Sequence, residues 1–314
     1  MNPSVNDCLS KDTIASAESL SAMMQMEQTT YTCSDYLNRP SPDNIIVIES
    51  DRLKIVDWCY AIIDQCNFDR ETVAIAVDII DRFLSKPSVI ARDALADRKK
   101  YQLLAISALY IAIKTNELMA VGSDFFAAMS QGVYSVEDIE TMEMSILEGL
   151  SWRICTPTSI QMAYCILSIA LPVVDLQESV RGFILDEVRY QTEYSLREYY
   201  FATKRPSTVA MAAIFNALDL IGEQDREAVL RALLLVMNDE FESIEDFLLA
   251  RNVLLSVVID DGSTEEDTIA PHDCETSRTP DSFSLGGEGN YCVTRSVSVV
   301  SPRSTGSVTT AHTT

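Results

Sequence analysis

Residues 101–113, YQLLAISALYIAI, are apolar on almost every face a helix could present. A helix of that kind cannot lie on a surface. It needs neighbours on most sides, and so demands a bundle built around it. The run then turns polar within one step, as Lys114-Thr115-Asn116-Glu117. A buried helix needs only a cap to stop, so a charge at its tip calls for a separate reason.

The flanking segments supply the neighbours. "RLKIVDWCYAIIDQC" places Leu53, Val56, Tyr60 and Ile63 at steps of three and four, and "ETVAIAVDIIDRFLS" repeats the pattern from Val73 through Val77 and Ile80 to Leu84. "SDFFAAMS" reads as a short helix capped by Ser123 or Asp124. "SVEDIETMEMSILEGL" opens on Ser135 and Asp138 in capping-box spacing and ends near Gly149. After "TPT", with Pro157 suited to a first helical turn, helices are expected over about 158–170, 175–201, 206–221, 224–238 and 244–258, the last with Ser243 and Asp246 as a second capping box. No stretch of the middle alternates like a strand. The expected fold is all-α: two consecutive five-helix bundles, 43–156 and 157–259. A flexible arm over 1–42, with room for one short helix, precedes them, and a disordered, acidic, Ser/Thr-rich tail over 260–314 follows. The stretch "KPSVIARDALADRKK" reads as a long loop.

Charge and residue counts exclude several functions. With 47 acidic against 24 basic residues the net charge is −23, which opposes binding to nucleic acid or to an anionic membrane surface. No uncharged apolar run reaches membrane-spanning length, and no secretory leader pattern opens the chain. The only histidines are His272 and His312, in the tail, so the expected folded part has no imidazole for base catalysis or metal binding. There is no Cys-x-x-Cys pair and no Gly-rich phosphate loop, so neither metal nor cofactor is expected. Several of the eight cysteines sit inside apolar helical patterns as small hydrophobes, which suits a reducing compartment.

Taken in order, "RLKIVDW" (52–58), "AVDIIDRFLS" (76–85), "YQLLAISALYIAIKTNE" (101–117) and "YSVEDIETMEMSILEGLSWRICTPT" (134–158) resemble the N-terminal cyclin box over about 50–158. The region from 157 to 258 is similar to the second cyclin fold only in helix count and in its "PT" entry. The resemblance implies that Lys114 and Glu143 are the pair that grips the backbone at the end of a kinase's mobile αC helix. Thr115, Glu117, Trp152 and Ile154 would surround them. It implies that Arg52 and Asp81 form a buried structural bridge between the first two helices of the box. Trp58, Gln102 and Ile55 match a groove for substrate docking peptides. The chain departs from many cell-cycle cyclins there, with Asp51 and Lys54 at apolar positions. Thr279-Pro280 and Ser301-Pro302 are minimal sites for proline-directed kinases.

The expected function is a non-catalytic regulatory subunit that binds and activates a cyclin-dependent Ser/Thr protein kinase in cell-cycle control. Kinase substrates or inhibitors are further partners, and the expected location is nucleus and cytoplasm. The alternative is a cyclin-fold adaptor of the transcription machinery without kinase activation. Duplex-DNA binding at low salt separates the two.

Overall fold

The apolar run forms the middle of helix α5, Arg98–Asn116, with Tyr101 and every residue from Leu104 to Ile113 buried. In the computed structural model, which describes residues 11–39, 45–119, 121–236 and 244–261, five helices pack around it. They are α2 (Glu49–Cys66), α3 (Glu71–Ser85), α4 (Val89–Ala96), α6 (Ser123–Met129) and α7 (Val136–Gly149). A second set, α8 (Ser159–Ala170), α9 (Glu178–Ser195), α10 (Pro206–Asp219), α11 (Glu223–Val236) and α12 (Ile244–Asp261), gathers mainly around α8 and α10. The all-helical expectation holds, with no strand among the described residues. None of the described helices is long and apolar enough to cross a membrane.

Local signals explain the helix ends. Ser135 Oγ accepts from the Asp138 amide at 3.1 Å while Asp138 Oδ2 accepts from the Ser135 amide at 2.8 Å, the reciprocal cap expected for α7. At the other end the Trp152 amide reaches the Leu147 carbonyl and the Ser151 amide reaches Glu148, with Ser151 at φ 53°. This is a Schellman ending, made without the usual glycine in the left-handed position. Asn67, at φ 54°, closes α2 in the same way.

Four expectations change. Residues 11–29 of the supposed flexible arm form helix α1 (Lys11–Thr29), whose Leu20, Met23 and Met24 enter the core of the second helix set. The polar sequence hid this, because α1 buries only a narrow stripe. The supposed loop after α3 carries α4, capped by Ser88 and burying Ala91, Ala94 and Leu95, so the first set has six helices. Helix α9 stops at Ser195 instead of running to 201, and a 3-10 turn over Tyr199–Thr203 follows. Leu53 faces solvent, because Asp51 and Arg52 turn inward to bond Arg98 and Asp81. The tail from 262, Ser243, Thr279 and Ser301 lie outside the described residues.

Gly149 of α7 sits against Phe83 of α3. A Cβ there would lie 2.8 Å from Cε2 of Phe83, a ring held deep in the core. Gly149→Ala is therefore expected to destabilise the chain by about 1–3 kcal/mol, read as a lower urea midpoint with unchanged slope.

Candidate functional site

The Lys114 charge sits in the last turn of α5, where unpaired helix carbonyls favour a cation. Its Nζ donates to Glu143 Oε1 of α7 at 2.7 Å and lies 4.6 Å above the Tyr110 ring. The two ends of the pair differ. The Lys114 side chain is 43% exposed and the Glu143 side chain 12%. Burial alone would lower the lysine pKa. The bond to Glu143 and its charge, helped by Tyr110, outweigh that and leave it raised, so the ammonium is firmly held. An ammonium has three donors, and Glu143 takes one of them. The arrangement is thus a preoriented cation at the surface, backed by a carboxylate sunk into α7.

The other expected site residues divide. Thr115 is exposed, with Oγ1 bonded back to Ile111 and Ala112 carbonyls at 3.0 Å. Trp152, at φ 61°, is 61% exposed on the turn after α7, and Ile154 is half-buried two residues on. That turn is fixed from below by Arg82, a buried residue whose Nη2 donates to the Arg153 carbonyl at 2.8 Å and whose Nε meets Asp78 at 2.6 Å. Sequence reading missed Arg82, although its spacing of four from Asp78 on one helix was the available signal. Glu117 does not reach outward. Its carboxylate accepts from the Asp69 amide at 3.0 Å and the Thr72 hydroxyl at 2.5 Å, and so ties the end of α5 to the entry of α3.

The members of the docking-groove trio differ in exposure. Ile55 is 1% exposed and belongs to the core, beside Val56 and Cys59. Trp58 and Gln102 are half-buried, and Gln102 Oε1 accepts from the Tyr134 hydroxyl. Asp51, expected to line that groove, is buried and bonded to Arg98 Nε at 3.0 Å. Among the described residues no three His, Cys, Asp or Glu side chains are grouped to hold a metal ion.

Arg52 and Asp81 form a two-pronged buried pair, Nε to Oδ1 at 3.0 Å and Nη2 to Oδ2 at 2.8 Å. Two further partners were not legible in the sequence. Arg52 Nη1 donates to the Leu196 carbonyl, at the end of α9, and the Tyr36 hydroxyl donates to Asp81 Oδ1 at 2.7 Å. Tyr36 is fully buried, and burial, reinforced by Asp81, keeps its hydroxyl protonated.

Where the two helix sets meet lies a cleft of about 180 Å3 lined by Tyr60, Arg70, Glu71 and Glu193. Desolvation raises the pKa of Glu71 from its ordinary 4.5, against the opposing bond from the Thr158 hydroxyl, with Asp69 adding to the rise. A folded-state pKa above the unfolded one favours folding below about 4.5, and that contribution is lost as pH rises through the folded value. Gln cannot ionise yet can still accept from Thr158. Glu71→Gln is therefore expected to be more stable than the parent at neutral pH, with the gap shrinking in urea titrations as pH falls toward the ordinary 4.5.

A family model described as the N-terminal domain of cyclins matches residues 18–155. The chain is 30% identical over 192 residues to a G2/mitotic-specific B-type cyclin of Hydra vulgaris, covering 61% of this chain and 48% of that one. It is 27% identical over 199 residues to a putative A3-type cyclin of Arabidopsis thaliana, covering 63% and 52%. The chain thus spans about half the length of these curated relatives. Among solved structures, a viral cyclin from herpesvirus saimiri superimposes with a TM-score of 0.57 at 14% identity, over 77% of this chain and 96% of that one, which is a likeness of fold.

Proposed function

Because residues 18–155 make this chain a member of the cyclin family, we propose that it is the non-catalytic regulatory subunit of a cyclin-dependent Ser/Thr protein kinase, acting in cell-cycle control. The observation that carries the reading is the Lys114–Glu143 pair, bonded at 2.7 Å with its cation turned to solvent. A helix end in the partner offers both unpaired carbonyls and unpaired amides, and an ammonium beside a carboxylate matches both. Exposed Thr115 and Trp152 supply contact area, and aromatic anchors of that kind carry much of the energy at desolvated interfaces. The outward side of α7 adds Glu137, Glu140, Glu148 and Met144, which favours a partner surface that is basic as well as apolar.

The mechanism is a population shift. A kinase is competent only when its αC glutamate meets the ATP-site lysine and its activation loop is arranged. A rigid helical partner that binds the inward αC position alone shifts that equilibrium by its differential affinity. The direct test mixes the purified chain with a panel of cyclin-dependent kinases and follows phosphate transfer to a peptide. Stimulation of at least one kinase, with none from the chain alone, is expected. Neither binding nor stimulation across the panel would refute the reading. Nuclear and cytoplasmic residence is part of the same proposal, read by imaging the tagged full chain.

A further inference from the structure

Several polar contacts cross between the two helix sets. Arg52 Nη1 and the Tyr60 hydroxyl cap the last carbonyls of α9, at Leu196 and Glu193. Arg70 meets Glu193 at 2.8 Å, Arg197 meets Asp57 at 2.8 Å, and the Thr158 hydroxyl meets Glu71 at 2.7 Å. The bonds of Arg70, Arg197 and Thr158 lie at partly exposed positions and trade readily against water, so that side of the seam resists relative movement of the two sets only weakly.

One segment is anchored on both sides. Helix α1 lies along α8 with Leu20 in the second core, and Glu27, also buried, caps the start of α10 by accepting from the Ser207 amide and hydroxyl. The chain then crosses the seam over 30–39 and inserts Tyr36 against Asp81 in the first set. Tyr199, from the second set, closes the crossing from the other side. Its hydroxyl accepts from the amides of Tyr36 and Leu37 at 2.9 and 3.1 Å and donates to Asp35 Oδ1 at 2.9 Å. Its ring meets Tyr36 edge to face at 5.2 Å. Arg52 of α2, Asp81 of α3, Tyr36, and Leu196 and Tyr199 after α9 thus gather four separate pieces of chain at one buried ion pair.

We propose that residues 30–39 are a latch that sets the angle between the two helix sets, closed by the Tyr36 hydroxyl on Asp81 and the Tyr199 hydroxyl on the latch backbone. The latch is independent of the Lys114–Glu143 surface, which lies on α5 and α7, so its test does not use kinase activation. Hydrogen exchange of the full chain, followed peptide by peptide, reads it. Tyr199→Phe removes the acceptor of two latch amides and leaves the ring. Exchange is expected to speed up about tenfold together in the 30–39 and 196–203 peptides, with 136–149 and 206–219 unchanged. Asp35→Ala, at an exposed position that cannot unfold the chain, should speed the same two peptides by a smaller factor. Acceleration confined to 30–39 would make the segment a loose strap that sets nothing. Acceleration spread evenly over all helices, or no acceleration in either variant, would overturn the latch as well.

Discussion

Asp81→Ala is expected to destabilise the folded chain by about 3–5 kcal/mol, the largest single-residue effect the structure implies. The loss does not come from the attraction alone. Asp81 is the acceptor for Arg52 Nε, Arg52 Nη2 and the Tyr36 hydroxyl, all shielded from water. Removing it strands a guanidinium and a phenol that cannot regain solvent without opening the seam between the helix sets. Urea melts should show a lower midpoint. Asp81→Asn should recover part of the loss, because the amide still offers one acceptor oxygen. Replacing Arg52 and Asp81 together by apolar residues should cost less than Asp81→Ala alone, since no charge is then left unpaired. A single variant as stable as the parent would show that the pair is hydrated and that the buried node is wrong.

Replacing Lys114 and Glu143 together by Ala should do the opposite: leave the fold almost intact and abolish partner activation. The pair spans two helices, but its cation is well exposed, so its loss should cost about 1 kcal/mol or less of stability. At a desolvated interface the same two groups become anchors, and removing a charged hydrogen-bonding anchor costs about 2–5 kcal/mol, or roughly 30- to several-thousand-fold in affinity. Titration against the kinase that responds best to the parent chain, paired with a thermal melt of each variant, separates the two effects. Unchanged affinity with an unchanged melt would remove these residues from the interface. Trp152→Ala tests the apolar part of the same surface and should also weaken binding without lowering the melt, since the ring is mostly in solvent.

The core of the first helix set was readable because its signals are local. The all-round apolar run of α5 demanded neighbours, and the i, i+3, i+4 spacing in α3 and the Ser135–Asp138 cap depend only on residues within one helix. The Lys114–Glu143 and Arg52–Asp81 pairs came from resemblance, since nothing in either helix alone says that side chains 29 positions apart will meet. Where local signals were weak the reading failed. Helix α1 has one narrow apolar stripe, and α4 is eight residues long and opens just past Pro87. Glu117 looked like an outward charge until packing brought the Asp69 amide and the Thr72 hydroxyl alongside it.

Composition and periodicity by themselves therefore determined an acidic chain whose described part is all-helical, the helix at the centre of the first set, and a cation at that helix's tip. Tertiary structure alone decided which charges are spent inside the molecule and which still face solvent. It also decided that residues 30–39 bond to both helix sets, through Tyr36 on Asp81 and the Tyr199 hydroxyl on the Tyr36 and Leu37 amides. The reason is one of range. Helix formation and capping are set by neighbours a few residues away, whereas the partner of a buried hydroxyl or carboxylate is whatever distant chain the packing delivers, and no spacing rule encodes that.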